Sequence, residues 1–112
     1  MIDQYIAAWN SNGLEEFKAA FALCWAADAK YTDPAYPLIE GVDGIAAFAQ
    51  LSLEKIPSRK FKVLIAPSYH HQSLIYTWQA ALPGETRDGL DYIEYSEDFK
   101  IKRLVSFFPL AR

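Results

Sequence analysis

Residues 29–37 have the sequence Ala-Lys-Tyr-Thr-Asp-Pro-Ala-Tyr-Pro, and Glu40-Gly41 follows soon after. The first part predicts a short strand, Ala29–Asp33, which ends at Pro34 because proline lacks the N–H group that strand pairing uses. The second proline keeps the chain out of regular structure, and the glycine permits a sharp entry into a helix. The stretch therefore predicts one acid, Asp33, at a corner between a strand and a helix.

Helical periodicity is present on both sides of this corner. A short first helix carries one apolar stripe with the spacing i, i+3, i+4 and i+7, formed by Ile2, Tyr5, Ile6 and Trp9. A second helical segment is predicted to continue to about Ala26. The third is predicted to have Asp43 as its N-cap and to end at Pro57.

From residue 60 the apolar period changes from 3.6 to 2, which is typical of strands. Four strands are predicted here, at residues 60–65, Ser73–Ala81, Asp88–Ser96 and Lys100–Phe108. Three helices followed by a meander of strands predict an α+β fold, with the helices on one face of a curved, mainly antiparallel sheet. No repeat or linker interrupts the chain, so residues 1–112 are predicted to form a single domain.

Aromatic side chains make up 15% of this chain of 112 residues, which is 52% apolar in total. That supply exceeds what the core of such a small domain needs, and it suits a pocket with aromatic walls. We expect four residues to contact a ligand there, namely Trp9, Tyr36, Phe48 and Trp78. An ordinary core would select the same residue types, so composition alone leaves both interpretations open.

The charge pattern argues against a nucleic-acid surface. The net charge is −3, whereas phosphate binding needs a clustered basic face. The densest basic group is predicted to be a solvated helix end and strand edge, and it comprises Lys55, Arg59, Lys60 and Lys62. No apolar run reaches the roughly 18 residues of a membrane span, and no secretory signal is visible. We therefore expect a cytoplasmic protein with no nucleic-acid or membrane partner.

Residues that commonly bind metals are not clustered in the sequence. Cys24 is the only cysteine, which excludes an internal disulfide and a cysteine-based metal cluster. Its place on an apolar helix face predicts a buried thiol. His70 and His71 lie in a predicted turn with no acid or cysteine at ligand spacing, so they are interpreted as turn residues. The sequence predicts no metal site and no cofactor.

The order and spacing of four motifs resemble the SnoaL-like branch of the nuclear transport factor 2-like superfamily. The motifs are Tyr5–Asn10, Tyr31–Pro34, Gly41 with Ile45 and Phe48, and Asp91 followed by Lys100-Ile101 and Phe107-Phe108. The resemblance covers nearly the whole chain and implies a single SnoaL-like domain. It implies a cone-shaped α+β barrel of the cystatin-like type, with a deep pocket that binds a small apolar ligand. It also implies a homodimer formed through the sheet.

Ketosteroid isomerase belongs to the same superfamily, and three residues here match its motif positions. The resemblance implies that Asp33, in an Asp-Pro corner, is a catalytic base, and that Tyr5, on the first helix, is an oxyanion-hole donor. It implies that Asp91, on the penultimate strand, is a second donor in its protonated form. The segment between Tyr5 and Asp33 is about four residues longer than in that enzyme, which is close to one helical turn.

Each of these three residues also has a purely structural interpretation. Asp33 can bond to the backbone of its own corner, as aspartate in turns often does. Tyr5 fits the apolar stripe of its helix equally well as a core aromatic. Asp91 interrupts a strand face that carries Ile93 and Tyr95, so it either lies in the pocket or marks that face as exposed.

Two classes of function remain. The first is a cofactor-free isomerase or cyclase, ketosteroid-isomerase-like or polyketide-cyclase-like, that acts on a small apolar carbonyl compound by acid–base catalysis. The second is a non-catalytic module of the same fold that binds a ligand or a protein. Epoxide hydrolysis is disfavoured, because the limonene-type enzymes of the superfamily carry an arginine where this chain has Gly89. Two acids close together in an enclosed cavity favour the enzyme, whereas an exposed or backbone-bonded acid favours the binding module.

Overall fold

The computed structural model describes residues 1–109, so the last three positions of the predicted domain lie outside it. Within this range, three helices and six strands follow one another. They are α1 (Ile2–Trp9), α2 (Leu14–Ala22), β1 (Trp25–Thr32), β2 (Ile39–Glu40), α3 (Gly41–Lys55), β3 (Lys60–His70), β4 (Ser73–Leu82), β5 (Glu85–Tyr95) and β6 (Ile101–Phe107). The helices pack on one side of a curved sheet, so the predicted cone-shaped α+β fold is confirmed.

The six strands form one sheet in the order β2-β1-β6-β5-β4-β3. β1 pairs with β6 in parallel, and the other neighbouring strands are antiparallel. Register shifts interrupt the β1–β6, β3–β4 and β5–β6 pairings. Such irregularities bend a strand and increase its twist, which curves the sheet around the helices.

The core lies between the helices and the inner face of the sheet. The four residues of the predicted α1 stripe are all buried. Phe17 and Phe21 of α2 and Ile45 of α3 are fully buried against the sheet. Burial of each such side chain contributes about 1.5–3 kcal/mol, so this interface is a main source of stability. None of the helices in residues 1–109 is long and apolar enough to cross a membrane.

Asn10, just after α1, connects this helix to the edge strand β3. Its side-chain amide donates a hydrogen bond to the Phe61 carbonyl at 3.0 Å, and its Oδ1 accepts one from the Phe61 N–H at 2.9 Å. The side chain thus satisfies both backbone groups of an edge residue. Because Tyr5 and Trp9 belong to the same short helix, this contact sets their position relative to the sheet.

The end of α2 and the start of β1 differ from the prediction. The helix ends at Ala22, not near Ala26, and Trp25 already belongs to β1. The Ile101 N–H donates a hydrogen bond to the Cys24 carbonyl at 2.8 Å, which joins this segment to β6. The predicted burial of Cys24 is confirmed, although it follows the helix and does not lie within it.

The end of β3 and the start of α3 also differ from the prediction, because the chain turns more tightly at these points than expected. β3 continues to His70, and the turn consists of His71 and Gln72, whose φ values are 47° and 60°. Two consecutive residues with positive φ form the tight hairpin turn that suits twisted strands. α3 begins at Gly41, whose φ of 75° favours glycine, so the helix starts before the predicted N-cap.

Candidate functional site

A cavity of about 690 Å³ lies between α1, α3 and the inner face of the sheet. Its walls are mainly apolar, and they include Ile6, Trp9, Phe48, Phe61, Trp78 and Ala80. Exposed residues of the β4–β5 hairpin, Thr86 to Asp88, form part of its rim. An apolar cavity of this size with a few polar side chains is typical of a small-molecule site.

Asp33 follows β1 directly, is 7% exposed and lines this cavity. Its Oδ1 accepts hydrogen bonds from the backbone N–H groups of Ala35 and Tyr36, both at 2.8 Å. Backbone hydrogen bonds between Asp33 and Tyr36 close the same turn around Pro34. The structural interpretation of Asp33 therefore holds for one of its two carboxylate oxygens.

The other carboxylate oxygen of Asp33 contacts a tyrosine. The Tyr31 hydroxyl donates a hydrogen bond to Asp33 Oδ2 at 2.8 Å. Burial, followed by the proximity of Tyr5 and of Asp33, raises the pKa of Tyr31 well above its ordinary value, so Tyr31 remains a donor at neutral pH. A carboxylate oxygen has two acceptor positions, so Oδ2 retains one for a proton of a ligand.

Asp91 lies on the inner face of β5, opposite Tyr76 of β4 and Ser106 of β6. The Tyr76 hydroxyl donates a hydrogen bond to Asp91 Oδ2, and the Trp78 indole N–H donates to Oδ1 at 3.0 Å. Asp91 is 4% exposed and lines the cavity. Of the two positions left open by the sequence, the side chain therefore takes the inward one.

Burial raises the pKa of Asp91 above its ordinary value of 3.8. Hydrogen bonds from Ser106, Tyr76 and Trp78 oppose this increase, and the negative charge of Asp33 adds to it. Desolvation is the dominant cause, because a carboxylate in apolar surroundings loses its hydration. Asp91 thus retains a proton more readily than an acid in water, and its ionisation depends on that of Asp33.

Gly89 makes room for the hydrogen bond between Trp78 and Asp91. It lies directly opposite Trp78 in the β4–β5 register. A Cβ atom at this position would lie 2.1 Å from Trp78 Cζ2 and 2.3 Å from Cε2, closer than non-bonded atoms can approach. The indole therefore lies across β5 above the glycine, with its N–H directed at Asp91. An arginine at position 89 would displace it.

Tyr5 faces the same cavity from α1. Its ring packs edge-on against Trp25, with the ring centroids 5.6 Å apart. Tyr31 and Tyr76 donate to carboxylates, whereas the Tyr5 hydroxyl donates to no acceptor in residues 1–109. Burial, followed by the charge of Asp91, raises the pKa of Tyr5 well above its ordinary value. Its hydroxyl is therefore a protonated donor that is available to a ligand.

The three residues predicted to be catalytic, Tyr5, Asp33 and Asp91, line one cavity although they lie on three different elements. Each acid accepts a hydrogen bond from its own tyrosine, and the hydroxyl of the third tyrosine, Tyr5, donates to no acceptor in residues 1–109. Such an arrangement can accept a proton at one position and donate hydrogen bonds at another.

Three of the four aromatic residues predicted to contact a ligand, Trp9, Phe48 and Trp78, line the cavity. The fourth, Tyr36, does not line it. Its ring is 37% exposed and packs edge-on against Phe48, with the centroids 4.9 Å apart. Asp33 closes a turn that reverses the chain before Tyr36. The Tyr36 side chain therefore packs against Phe48 on the side away from the cavity.

Among the residues of the site that were not predicted to belong to it are Tyr31, Tyr76 and Arg59. Tyr31 has a sequence signal, since it lies two positions before Asp33 and thus on the same side of an extended chain. Tyr76 contacts Asp91 only through the strand register. Arg59 was expected to be solvated, and this is corrected: it is 3% exposed and lines the cavity, because backbone carbonyls of α1 and α3 replace water around it.

Other potential ligand residues lie away from the cavity. The exposed side chains of His70 and His71 contact each other, with their Nδ1 atoms 3.3 Å apart. In the part of the chain that the structure describes, no group of three or more His, Cys, Asp or Glu side chains is placed to hold a metal ion.

Comparison with known proteins finds no matching family model and no matching curated protein. Solved structures do match. A proposed isomerase of the SnoaL-like family from Agrobacterium tumefaciens strain C58 has a TM-score of 0.88 and 26% identity, over 97% of this chain and 94% of that one. A proposed ketosteroid isomerase from Kribbella flavida has a TM-score of 0.72 and 22% identity, over 97% and 75% of the two chains. A proposed SnoaL-like polyketide cyclase from a Jannaschia species has a TM-score of 0.68 and 9% identity, over 81% and 71%.

The chain is thus similar in fold to SnoaL-like proteins. At 22% and 9% identity, the second and third structures are informative about the fold alone. Activity has to be argued from the site itself, because one fold hosts many functions.

Proposed function

We propose that the cavity binds a small, largely apolar carbonyl compound and catalyses cofactor-free proton transfer on it, as an isomerase or a cyclase does. One observation carries the proposal: two buried acids, Asp33 and Asp91, line the same apolar cavity as Tyr5, whose hydroxyl donates to no acceptor in residues 1–109. Buried acids are rare unless they are paired or functional, and both of these face a space large enough for a ligand.

Asp33 is the base in this proposal. Its Oδ1 is fixed by the turn, which orients the carboxylate, and its Oδ2 removes a proton from the carbon next to the carbonyl group. The electron pair of that C–H bond moves to the carbonyl oxygen and forms an enolate. In an isomerase, Asp33 returns the proton to a different carbon; in a cyclase, the enolate carbon forms the new ring bond.

Tyr5 and Asp91 stabilise the oxygen that becomes negative. The Tyr5 hydroxyl has no other acceptor in residues 1–109, so it can donate to that oxygen without breaking an existing bond. Asp91 donates when it is protonated, a state that burial favours. Donors already in place around a developing charge need no rearrangement during the reaction, which lowers the barrier.

The similar proteins from Agrobacterium and Kribbella are described as proposed isomerases, and the one from Jannaschia as a proposed cyclase. Both chemistries form an enolate in an apolar pocket, and the same three side chains can serve either. The similarity to the Agrobacterium protein supports an isomerase, and the site geometry supports the roles of the residues.

A second candidate function is binding without catalysis. It is favoured by the two backbone hydrogen bonds to Asp33 Oδ1, which a carboxylate with a purely structural role would also make. In this case the cavity holds an apolar ligand, and Asp33 serves only to close the corner after β1.

Proton exchange distinguishes the two functions. A panel of β,γ-unsaturated ketones is incubated in D₂O with the wild-type protein or with Asp33→Asn, and deuterium at the carbon next to the carbonyl is followed by NMR. An asparagine keeps an Oδ1 that accepts the two backbone N–H groups, so the turn is preserved while the base is lost. We expect the variant to reduce the exchange rate by about 10²–10⁴-fold. Absence of exchange with every ketone, or equal rates for both proteins, contradicts catalysis by Asp33.

We also propose that the outer face of the sheet pairs with a second copy of the chain. Two rows of mostly apolar, uncharged side chains cross β3, β4, β5 and β6 there, namely Ile65, Thr77, Leu90 and Phe107, and Ser68, Ile75, Tyr92 and Val105. Ile65, Ile75 and Phe107 are exposed. A face without charges in its two rows can meet itself across a two-fold axis without opposing like charges. Large exposed apolar patches commonly mark such interfaces.

Analytical ultracentrifugation tests the pairing. The wild-type protein is expected to sediment as a dimer at micromolar concentration, and Ile75→Lys as a monomer, because the substitution places a charge in the centre of the face. Lys102→Ala, at another exposed position of the sheet, serves as the control and should stay dimeric. A monomeric wild-type protein at micromolar concentration contradicts the proposal.

A further inference from the structure

Arg59 is a buried cation that the proposed chemistry does not use. It lies between α3 and β3, is 3% exposed and lines the cavity together with the acids. Its surroundings determine whether it serves only as a structural link between helices or can also bind a ligand.

Neutral groups accept the hydrogen bonds that Arg59 donates. Nε donates to Ser52 Oγ at 2.8 Å, Nη1 to the Trp9 carbonyl at 3.0 Å, and Nη2 to the Ala49 carbonyl at 3.3 Å. These bonds connect the end of α1 to α3. A guanidinium has five N–H groups, so one on Nη1 and one on Nη2 remain without an acceptor in residues 1–109.

The positive charge of Arg59 has no carboxylate partner in residues 1–109. The ion pairs in this range involve other residues and lie at the surface. The guanidinium instead lies 5.0 Å from the ring centroid of Phe61 and 5.8 Å from that of Trp9. Aromatic faces attract a cation but compensate only part of the hydration that it loses on burial. Arginine retains its charge inside a protein, so the imbalance persists at neutral pH.

We propose that the two free N–H groups of Arg59 bind a carboxylate of the ligand. Trp9, whose carbonyl accepts from Arg59, and Tyr5 lie about one turn apart on α1, and Arg59 and Tyr5 both line the cavity. The ligand is then a small, largely apolar oxo acid, with its carbonyl oxygen at Tyr5 and its carboxylate at Arg59. The oxo group rests on the proposed function, whereas the preference for an acid requires binding alone.

A matched pair of neutral and anionic probes tests this inference. Binding of 2-naphthoate and of 2-naphthamide, which share the same apolar body, is measured at neutral pH by titration calorimetry. We expect the wild-type protein to bind naphthoate at least about 10-fold more tightly, because charge-assisted hydrogen bonds are about twice as strong as neutral ones. Arg59→Gln is expected to lower this ratio to about one, since it removes the cation.

Arg87 provides the matched control. It is the other cationic residue among those lining the cavity, it is exposed, and it forms an ion pair with Glu85 at 3.0 Å. Arg87→Gln should retain the ratio of affinities within about twofold, because exposed charges are screened by water and salt. A ratio that depends on Arg87 and is unaffected by Arg59→Gln overturns the assignment to Arg59.

A second measurement uses the wild-type protein, because Arg59→Gln also removes bonds that hold α1 to α3. The Nε–H resonance of Arg59 is followed by ¹H–¹⁵N NMR while either probe is added. We expect a shift with 2-naphthoate and little change with 2-naphthamide. Equal affinities for the two probes, including no detectable binding of either, overturn the inference.

The two proposals fail in different ways. If the protein prefers the acidic probe through Arg59 but exchanges no protons, the carboxylate site is supported and catalysis is contradicted. If Asp33 exchanges protons of neutral ketones but the protein does not prefer the acidic probe, catalysis is supported and Arg59 is a structural link only.

Discussion

Replacement of Gly89 by alanine tests whether the contact between Trp78 and Asp91 organises the site. The added Cβ would lie 2.1 Å from Trp78 Cζ2 and 2.8 Å from Cη2, so the indole has to move. Movement breaks the 3.0 Å hydrogen bond to Asp91 Oδ1. It also disturbs the edge-on contact between the rings of Trp78 and Phe61, whose centroids are 5.9 Å apart.

The expected loss of stability follows from these contacts. Forcing extra atoms into a packed interior costs about 1–3 kcal/mol. Loss of a hydrogen bond to a buried polar group costs about 1–3 kcal/mol, and the two losses overlap because both arise from the same indole. We therefore expect Gly89→Ala to reduce the free energy of unfolding by about 2–4 kcal/mol. At about 4 °C per kcal/mol for a domain of this size, Tm falls by roughly 8–16 °C.

Urea unfolding and thermal melting measure this loss, and the indole resonance of Trp78 in a ¹H–¹⁵N spectrum reports its movement. Gly13→Ala is the control, because a Cβ there would have no atom nearer than Glu16 Oε2 at 4.0 Å. The control is expected to change the free energy of unfolding by less than about 1 kcal/mol. An unchanged Trp78 resonance and a free energy of unfolding within about 0.5 kcal/mol of wild type in Gly89→Ala would show that Gly89 is not needed for the contact between Trp78 and Asp91.

Two further predictions concern pH and the fixing of α1. Burial raises the pKa of Asp91 in the folded state, so its contribution to stability is complete below its ordinary value of 3.8 and is lost as the pH rises through the folded-state value. We therefore expect the free energy of unfolding in urea, compared between wild type and Asp91→Asn, to shift in favour of wild type between pH 7 and about pH 4. A difference between the two proteins that is the same at both pH values contradicts this. Asn10→Ala removes both hydrogen bonds to Phe61 and should reduce the free energy of unfolding by about 1–3 kcal/mol, measured in the same way; a change below about 0.5 kcal/mol contradicts the proposed role.

The parts of the fold that depend on neighbours in sequence are the ones that could be predicted. The α1 stripe and the Asp33-Pro34 corner follow from local periodicity and from the geometry of proline. The end of α2 could not be predicted, because the bond from Ile101 to Cys24 joins residues far apart in the chain. Local patterns favour a longer helix there, and the long-range pairing overrides them.

The residues of the site also divide into those that are set by their sequence neighbours and those that depend on distant parts of the chain. The position of Asp33 could be predicted from its own corner, whereas the inward direction of Asp91 required the register that places it opposite Tyr76. The burial of Arg59 is still harder to predict, since its sequence neighbours are basic and its burial depends on carbonyl groups of two separate helices. A charged residue that is buried by distant acceptors leaves no periodic signal in the sequence.

The titration of Asp91 shows most clearly whether the two acids share one desolvated cavity. With ¹³C-labelled protein, the carboxyl carbon of Asp91 is followed across the acidic range in wild type and in Asp33→Asn. We expect a wild-type pKa for Asp91 above 3.8 and a lower pKa in the variant, because removal of the Asp33 charge eases the ionisation of Asp91. An Asp91 that titrates at 3.8 in both proteins contradicts the claim that these two acids share one desolvated cavity.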